Sequence, residues 1–272
     1  MNQAAMTDDP IRFATFLAPN MIDVYRFVAD YVGREVGVRT ELAVGSSFDQ
    51  FAAGEADVGF ICGLPYVHLA REPHPPVQLL AAPLLQGARY DGRPIYFSDV
   101  IVHVDSHYRS FSDLRDRSWA FNDPDSHSGY NVTRHRLVSM GETGGFFGRV
   151  VEAGSHQRSI RMVCSGEVDA AAIDSQVLAV ELRDHPELGA QLRVIDTLGP
   201  AGIQPVVAAS RLPDQLKAAI TAALLAMGDD PEARARLAHG FIERFVPVTN
   251  ENYDDVRAML VAAEDASFMT LK

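Results

Sequence analysis

Gly166-Glu167-Val168-Asp169-Ala170-Ala171-Ala172-Ile173-Asp174-Ser175 is the stretch on which the fold turns. A helix-like run ends at Gly166, an acidic turn follows, and the chain is then apolar until Asp174. Glycine closes helices because it accepts left-handed backbone angles, and a strand that is apolar at every position is covered on both faces. Gly54-Glu55-Ala56-Asp57-Val58-Gly59 repeats the pattern far earlier in the chain. The echo is short. Even so, helix, acidic turn and buried strand in the same order fit two similar α/β lobes.

Around the first copy, 11–16, 41–44, 58–62 and 77–85 read as strands, 21–32 as a helix with apolar residues at helical spacing, and 66–71 as a short helix start. Around the second, strands at 119–122, 149–153, 170–173 and 193–196 alternate with helices at 128–140, 159–165 and 175–184. This alternation predicts right-handed βαβ units and open parallel sheets. In the tail, 213–227, 231–241 and 253–266 are helix-like, two of them opening on proline. The β-rich runs 98–104 and 203–209 join the blocks. If both cross between lobes as hinge strands, the first lobe is 1–98 plus 206–272 and the second, 99–205, is inserted into it. A ligand then belongs in the cleft, outside the carboxyl ends of the strands.

The chain has 272 residues, 47% hydrophobic and 22% charged, which excludes wholesale disorder. Lys and Arg number 24 against 36 Asp and Glu, a net charge of −12. A nucleic-acid-binding surface, which needs a basic face to displace counterions, is therefore not expected. A small anionic ligand is still allowed, since a buried site is set by local donors. No run approaches the roughly 20 apolar residues of a membrane span. The opening residues have neither the basic flank nor the apolar core of a signal peptide, so either a leader has been removed or the protein is cytosolic. Cys62 and Cys164 are too few for a disulfide framework and are expected to be buried thiols. No spacing of ligating residues suggests a metal, and no motif suggests a cofactor.

The chemistry concentrates in Phe121-Asn122-Asp123-Pro124-Asp125-Ser126-His127-Ser128-Gly129-Tyr130. A strand ends there, a turn follows, and small hydroxyl residues lead into a helix whose first N–H groups lack partners. Ser126 and Ser128 add hydroxyls, and Gly129 lets a ligand approach the backbone. The result is either an oxyanion cradle without Lys or Arg or a plain capping serine. In Glu152-Ala153-Gly154-Ser155-His156, His156 is either an N–H donor or an exposed loop histidine. Asp174 either faces the cleft or caps the following helix, and the two are compatible.

These segments, with Tyr96-Phe97-Ser98, resemble the solute-binding proteins of phosphonate, phosphite and phosphate ABC importers, a branch of the type II periplasmic binding proteins. The resemblance also rests on Gly54-Glu55-Ala56-Asp57, Ser112-Asp113-Leu114-Arg115, Phe146-Phe147, GEVDAAAIDS at 166–175 and Arg244-Phe245-Val246-Pro247-Val248. It implies a two-lobed α/β fold and an anion cradle at Ser126, His127, Ser128 and Gly129, with His156 at the position of the family's motif histidine; Ser155 beside it is a further candidate for ligand binding. From the other lobe it implies the hydroxyl of Tyr96. His127 stands where the family usually has threonine, and Ser47-Phe48 where it usually has Asp-Tyr. Gln176 and Gln204 fall near the carboxylates that hold the ammonium of aminoalkylphosphonates. Neutral amides bind a desolvated ammonium poorly. A smaller phosphonate, phosphite or phosphate is therefore favoured over 2-aminoethylphosphonate.

Two classes of function follow. The leading one is an extracytoplasmic, monomeric importer component whose partners are the anion and an ABC permease. Its rival is a cytosolic enzyme or sensor on the same fold, with His127 and His156 as acid and base.

Overall fold

The computed structural model describes residues 9–271, and the chain falls into two compact units. One comprises the chain up to Pro94 together with Ile203–Asn252, the other Ile95–Gly202 together with the chain from Tyr253 onward. Of the opening residues read as lacking a leader, those before Asp9 lie outside the described residues.

In chain order the first unit contains β1 (Ile11–Thr15), α1 (Ile22–Val36), β2 (Thr40–Val44), α2 (Asp49–Ala53), β3 (Val58–Phe60), α3 (Gly63–Ala70) and β4 (Val77–Leu85). The second contains β5 (Ile95–His103), β6 (Ser118–Phe121), a π-helical turn (His127–Asn131), α4 (Val132–Ser139), β7 (Arg149–Glu152) and α5 (His156–Cys164). It continues through β8 (Ala170–Asp174), α6 (Ser175–Asp184), α7 (Pro186–Gly189) and β9 (Leu192–Gly202). The chain returns to the first unit for β10 (Val206–Ala209), α8 (Asp214–Ala226), α9 (Pro231–Leu237) and β11 (Ile242–Val246). It finishes in the second with α10 (Asp254–Asp265).

Each unit is built on one sheet, ordered β11-β4-β10-β3-β1-β2 in the first and β7-β6-β8-β5-β9 in the second. The strands joined by local helices run parallel, β2-β1-β3 and β7-β6-β8, as the alternation predicts. The expectation of wholly parallel sheets is corrected: β10 runs antiparallel to β3 and β4, and β5 runs antiparallel to β8 and β9. Both strands follow directly on a passage of the chain from the other unit. No crossover helix within the unit dictates their direction.

The sequence echo is one local structure used twice. Gly54 and Gly166 end their helices at φ 77° and 73°, angles that glycine adopts without strain. The Asp57 N–H donates to the Arg12 carbonyl at 2.8 Å, and the Asp57 carboxylate accepts from the Arg12 N–H at 2.8 Å. Likewise the Asp169 N–H donates to the Ser118 carbonyl at 3.2 Å, and its carboxylate accepts from the Ser118 N–H at 2.8 Å. In each unit the acidic residue thus fastens the start of a buried strand to the start of its parallel neighbour. Burial pushes the Asp57 carboxyl up, but the Arg12 and Arg211 guanidiniums, at 3.0 and 2.5 Å, outweigh it and hold it below the ordinary value.

In the second unit Trp119 on β6 is fully buried and stacks on Phe147 at 4.7 Å, with Phe111 edge-on at 5.8 Å. Phe268 and Leu271 join this core. The end of the chain, expected in the first lobe, thus packs in the second, because α10 turns Val256, Leu260 and Ala263 inward against α4 and β9. Strand β11 is a further departure, since the sequence reading ends a helix just before it and assigns no strand there. Cys62 and Cys164 are partly exposed rather than buried, each standing at a helix end. Among the described residues no helix is long and apolar enough to cross a membrane, and no cluster of His, Cys, Asp or Glu is placed to hold a metal.

Candidate ligand-binding site

Three helix starts follow the carboxyl ends of three parallel strands in the second unit: the π-turn and α4 after β6, α5 after β7, and α6 after β8. At such ends the unpaired N–H groups and the positive ends of the helix dipoles favour an anion. The sequence places small polar residues at all three.

At the first, the Asn131 N–H reaches back five residues to the Ser126 carbonyl at 3.0 Å, the hydrogen bond of a π-turn. Such turns occur often at functional sites. Ser126 caps the turn, its Oγ accepting from the Gly129 N–H at 3.1 Å, and lies 3.5 Å from Ser128 Oγ. Capping uses an oxygen lone pair and leaves the hydroxyl proton to donate. The cap observed at this serine is therefore compatible with a cradle role. Gly129 also meets a constraint from within the protein. A Cβ there would lie 1.8 Å from Asn122 Oδ1, so it is the Asn122 side chain that excludes any larger residue.

At the second start, Ser155 caps α5 through the Arg158 N–H at 3.2 Å. His156 is buried rather than an exposed loop residue, and its Nε2 lies 3.0 Å from Ser128 Oγ, which ties two of the helix starts together. At the third, Asp174 is a cap: its carboxylate accepts from the N–H groups of Gln176 and Val177 at 2.8 and 3.2 Å. Gln176 is buried on the first turn of α6.

Tyr96 was expected on the opposite lobe. It lies instead on β5, in the same unit as the cradle, with its ring 6.3 Å from that of His127. The boundary shift follows from β5 entering the second sheet at its first residue. Gln204 is buried in the first unit. Thus Tyr96, Ser126, His127, Ser128, Gly129, Ser155, His156, Asp174 and Gln176 all fall in one unit, and Gln204 does not.

Burial pushes both His127 and His156 down to about 3, so each imidazole is neutral at physiological pH. The Ser128–His156 pair has the spacing of a nucleophile and its base, yet Nδ1 of His156 has no hydrogen-bond partner among the described residues. No third group orients the ring, and a base near 3 would not keep a proton taken from serine.

Sequence reading missed three residues here. Asn131 and Arg134 are buried behind His127, and the spacing of Asn131, one helical turn from His127, was the available signal. Gln157 is 7% exposed with neither amide atom hydrogen-bonded among the described residues, a buried donor and acceptor on the first turn of α5.

The fold is that of the type II periplasmic binding proteins. A binding-protein component of an ABC phosphonate transporter from Pseudomonas aeruginosa superposes with TM-score 0.82 at 18% identity, covering 95% of this chain and 88% of that one. PhnD1 from Prochlorococcus marinus, in complex with methylphosphonate, gives 0.82 at 16% identity over 96% and 99% of the two chains. A Xanthomonas citri protein bound to ATP gives 0.72 at 16% identity over 94% and 98%.

A two-unit α/β scaffold with helix starts gathered around neutral polar side chains is thus the class. The chain belongs to the family described as ABC transporter, phosphonate, periplasmic substrate-binding protein, whose family model matches residues 13–253. These are substrate-binding proteins rather than enzymes, and the acid–base reading of the two histidines is set aside.

Proposed function

We propose that the second unit binds a small phosphorus oxyanion, a short alkylphosphonate first, with phosphite and phosphate as alternatives. The observation that carries this reading is the set of three helix starts bearing Ser126, His127, Ser128, His156 and Gln176 at the carboxyl ends of the three parallel strands of one mixed sheet. Uncharged donors with aligned N–H groups stabilise a desolvated anion without the penalty of a buried cation. The complex of PhnD1 with methylphosphonate supports the ligand class. Gln176 disfavours an ammonium-bearing phosphonate, because a neutral amide offers no charge to balance it. In this reading the protein is a monomer that works outside the cytoplasm and delivers its ligand to an ABC permease.

Thermal unfolding with methylphosphonate, ethylphosphonate, 2-aminoethylphosphonate, phosphite and phosphate tests the ligand. Ligand at a thousandfold excess over Kd stabilises by about 4 kcal/mol, roughly 10 °C in a chain of this size. The alkylphosphonates should exceed 2-aminoethylphosphonate. No rise with any of the five at millimolar concentration would overturn the proposal.

A further inference from the structure

Behind the cradle runs a buried chain of side chains whose polarity can be read without ambiguity. Arg134 Nη2 lies 2.8 Å from Asn131 Oδ1, and Asn131 Nδ2 lies 3.2 Å from His127 Nδ1. All three residues are almost wholly enclosed, at 4%, 0% and 1% exposure. A guanidinium only donates, so the Asn131 atom facing it must be the carbonyl oxygen. The amide nitrogen therefore faces His127. An amide N–H₂ also only donates, so His127 Nδ1 must accept, and a neutral imidazole that accepts at Nδ1 carries its proton on Nε2.

Arg134 is itself fixed. Its Nη1 donates to the Met269 carbonyl at 3.1 Å, and its guanidinium lies over the Tyr130 ring at 5.1 Å. The Tyr130 hydroxyl lies 3.4 Å from the same carbonyl and accepts from the Leu271 N–H at 3.3 Å. The last described residues of the chain thus hold the arginine that sets the direction of the hydrogen bonds.

We propose that Arg134 and Asn131 are positioning residues that hold His127 as the neutral tautomer protonated on Nε2, so that the ring is a fixed N–H donor rather than a cation or an acceptor. The burial that keeps the ring uncharged agrees with this assignment. In the family resemblance a threonine stands here, and a hydroxyl can rotate to donate or accept. A locked Nε2–H can only donate, so it suits a fully deprotonated ligand oxygen. That the donor serves a phosphorus oxyanion rests on the proposed function; the tautomer itself does not.

Nitrogen-15 labelling of histidine, with long-range correlation spectra of the ligand-free protein at neutral pH, reads the ring directly. The His127 signals are assigned by their loss in His127→Thr. The expected result is a protonated Nε2 and a bare Nδ1; a proton on Nδ1, or an imidazolium, overturns the proposal. Asn131→Asp keeps the shape but puts a carboxylate, which only accepts, against Nδ1. The proton should then appear on Nδ1, with far-ultraviolet circular dichroism unchanged. A bare Nδ1 in the folded variant would show that residue 131 does not set the tautomer. None of these spectra contains ligand. Failure of every oxyanion to bind would therefore sink the proposed function and leave the tautomer result standing.

Discussion

Acidification should unfold this protein through two imidazoles. Burial holds His127 and His156 at about 3, against an ordinary value of 6.5. Over that interval the unfolded chain binds two protons that the folded chain does not, so stability falls as pH drops below 6.5 and the loss is complete near 3. Between pH 7 and pH 5 the linkage amounts to about 2 kcal/mol for each ring and roughly 4 kcal/mol for both. Trp119, the one tryptophan, is fully buried in the unit that holds both histidines, so urea titrations followed by its fluorescence report on the right transition. His135 is also lowered by burial, and Asp255 is raised by it, with the opposite effect on stability. Both remain in the variants and cancel in the difference. His127→Thr should therefore lose about 2 kcal/mol less than the wild type over the same two pH units. Equal losses in the two proteins would refute the claim that the ring is buried and neutral.

Further outcomes follow from the same geometry. Ser128→Ala removes one hydroxyl and should weaken oxyanion binding by about 1.5–3 kcal/mol, ten- to hundredfold in Kd by calorimetry, and because it also leaves His156 Nε2 without its buried partner it should cost the free protein about 1–3 kcal/mol. Gly129→Ala drives a methyl group into Asn122 Oδ1 and should destabilise by about 1–3 kcal/mol in urea titrations; an unchanged midpoint would show that the Asn122 side chain moves aside freely. Asp57→Ala leaves the Arg12 N–H and the partly exposed Arg12 and Arg211 guanidiniums without their shared carboxylate and should cost about 1–3 kcal/mol at pH 7. Because that carboxyl is held below its ordinary value, its contribution is present above about pH 4 and vanishes in stronger acid, where wild type and variant should converge. Removing residues from 268 onward takes Phe268 and Leu271 out of the second core and should cost about 5 kcal/mol or more, seen as loss of cooperative unfolding of Trp119.

The sequence by itself determined the parallel βαβ part of both units, because helices ended by glycine and strands apolar at every position are local signals. It also determined the repeated acidic turn. Asp57 and Asp169 act on strands far away in sequence, yet the turn that presents them is written in four neighbouring residues. It likewise marked the hydroxyl-rich helix starts at Ser126–Ser128 and Ser155-His156, since capping chemistry is local.

What only the tertiary structure decided depends on partners distant in the chain. The directions of β5 and β10 depend on where the chain enters each sheet, and no residue within those strands encodes that. Tyr96 joins the cradle's own unit for the same reason. Asp174 is resolved as a cap by two N–H groups that point at it. That no side chain fits at Gly129 is decided by Asn122, across the turn. The charge state of His127 is the clearest case. The sequence shows an imidazole, but enclosure removes its charge, and an arginine held by the end of the chain decides which nitrogen carries the proton.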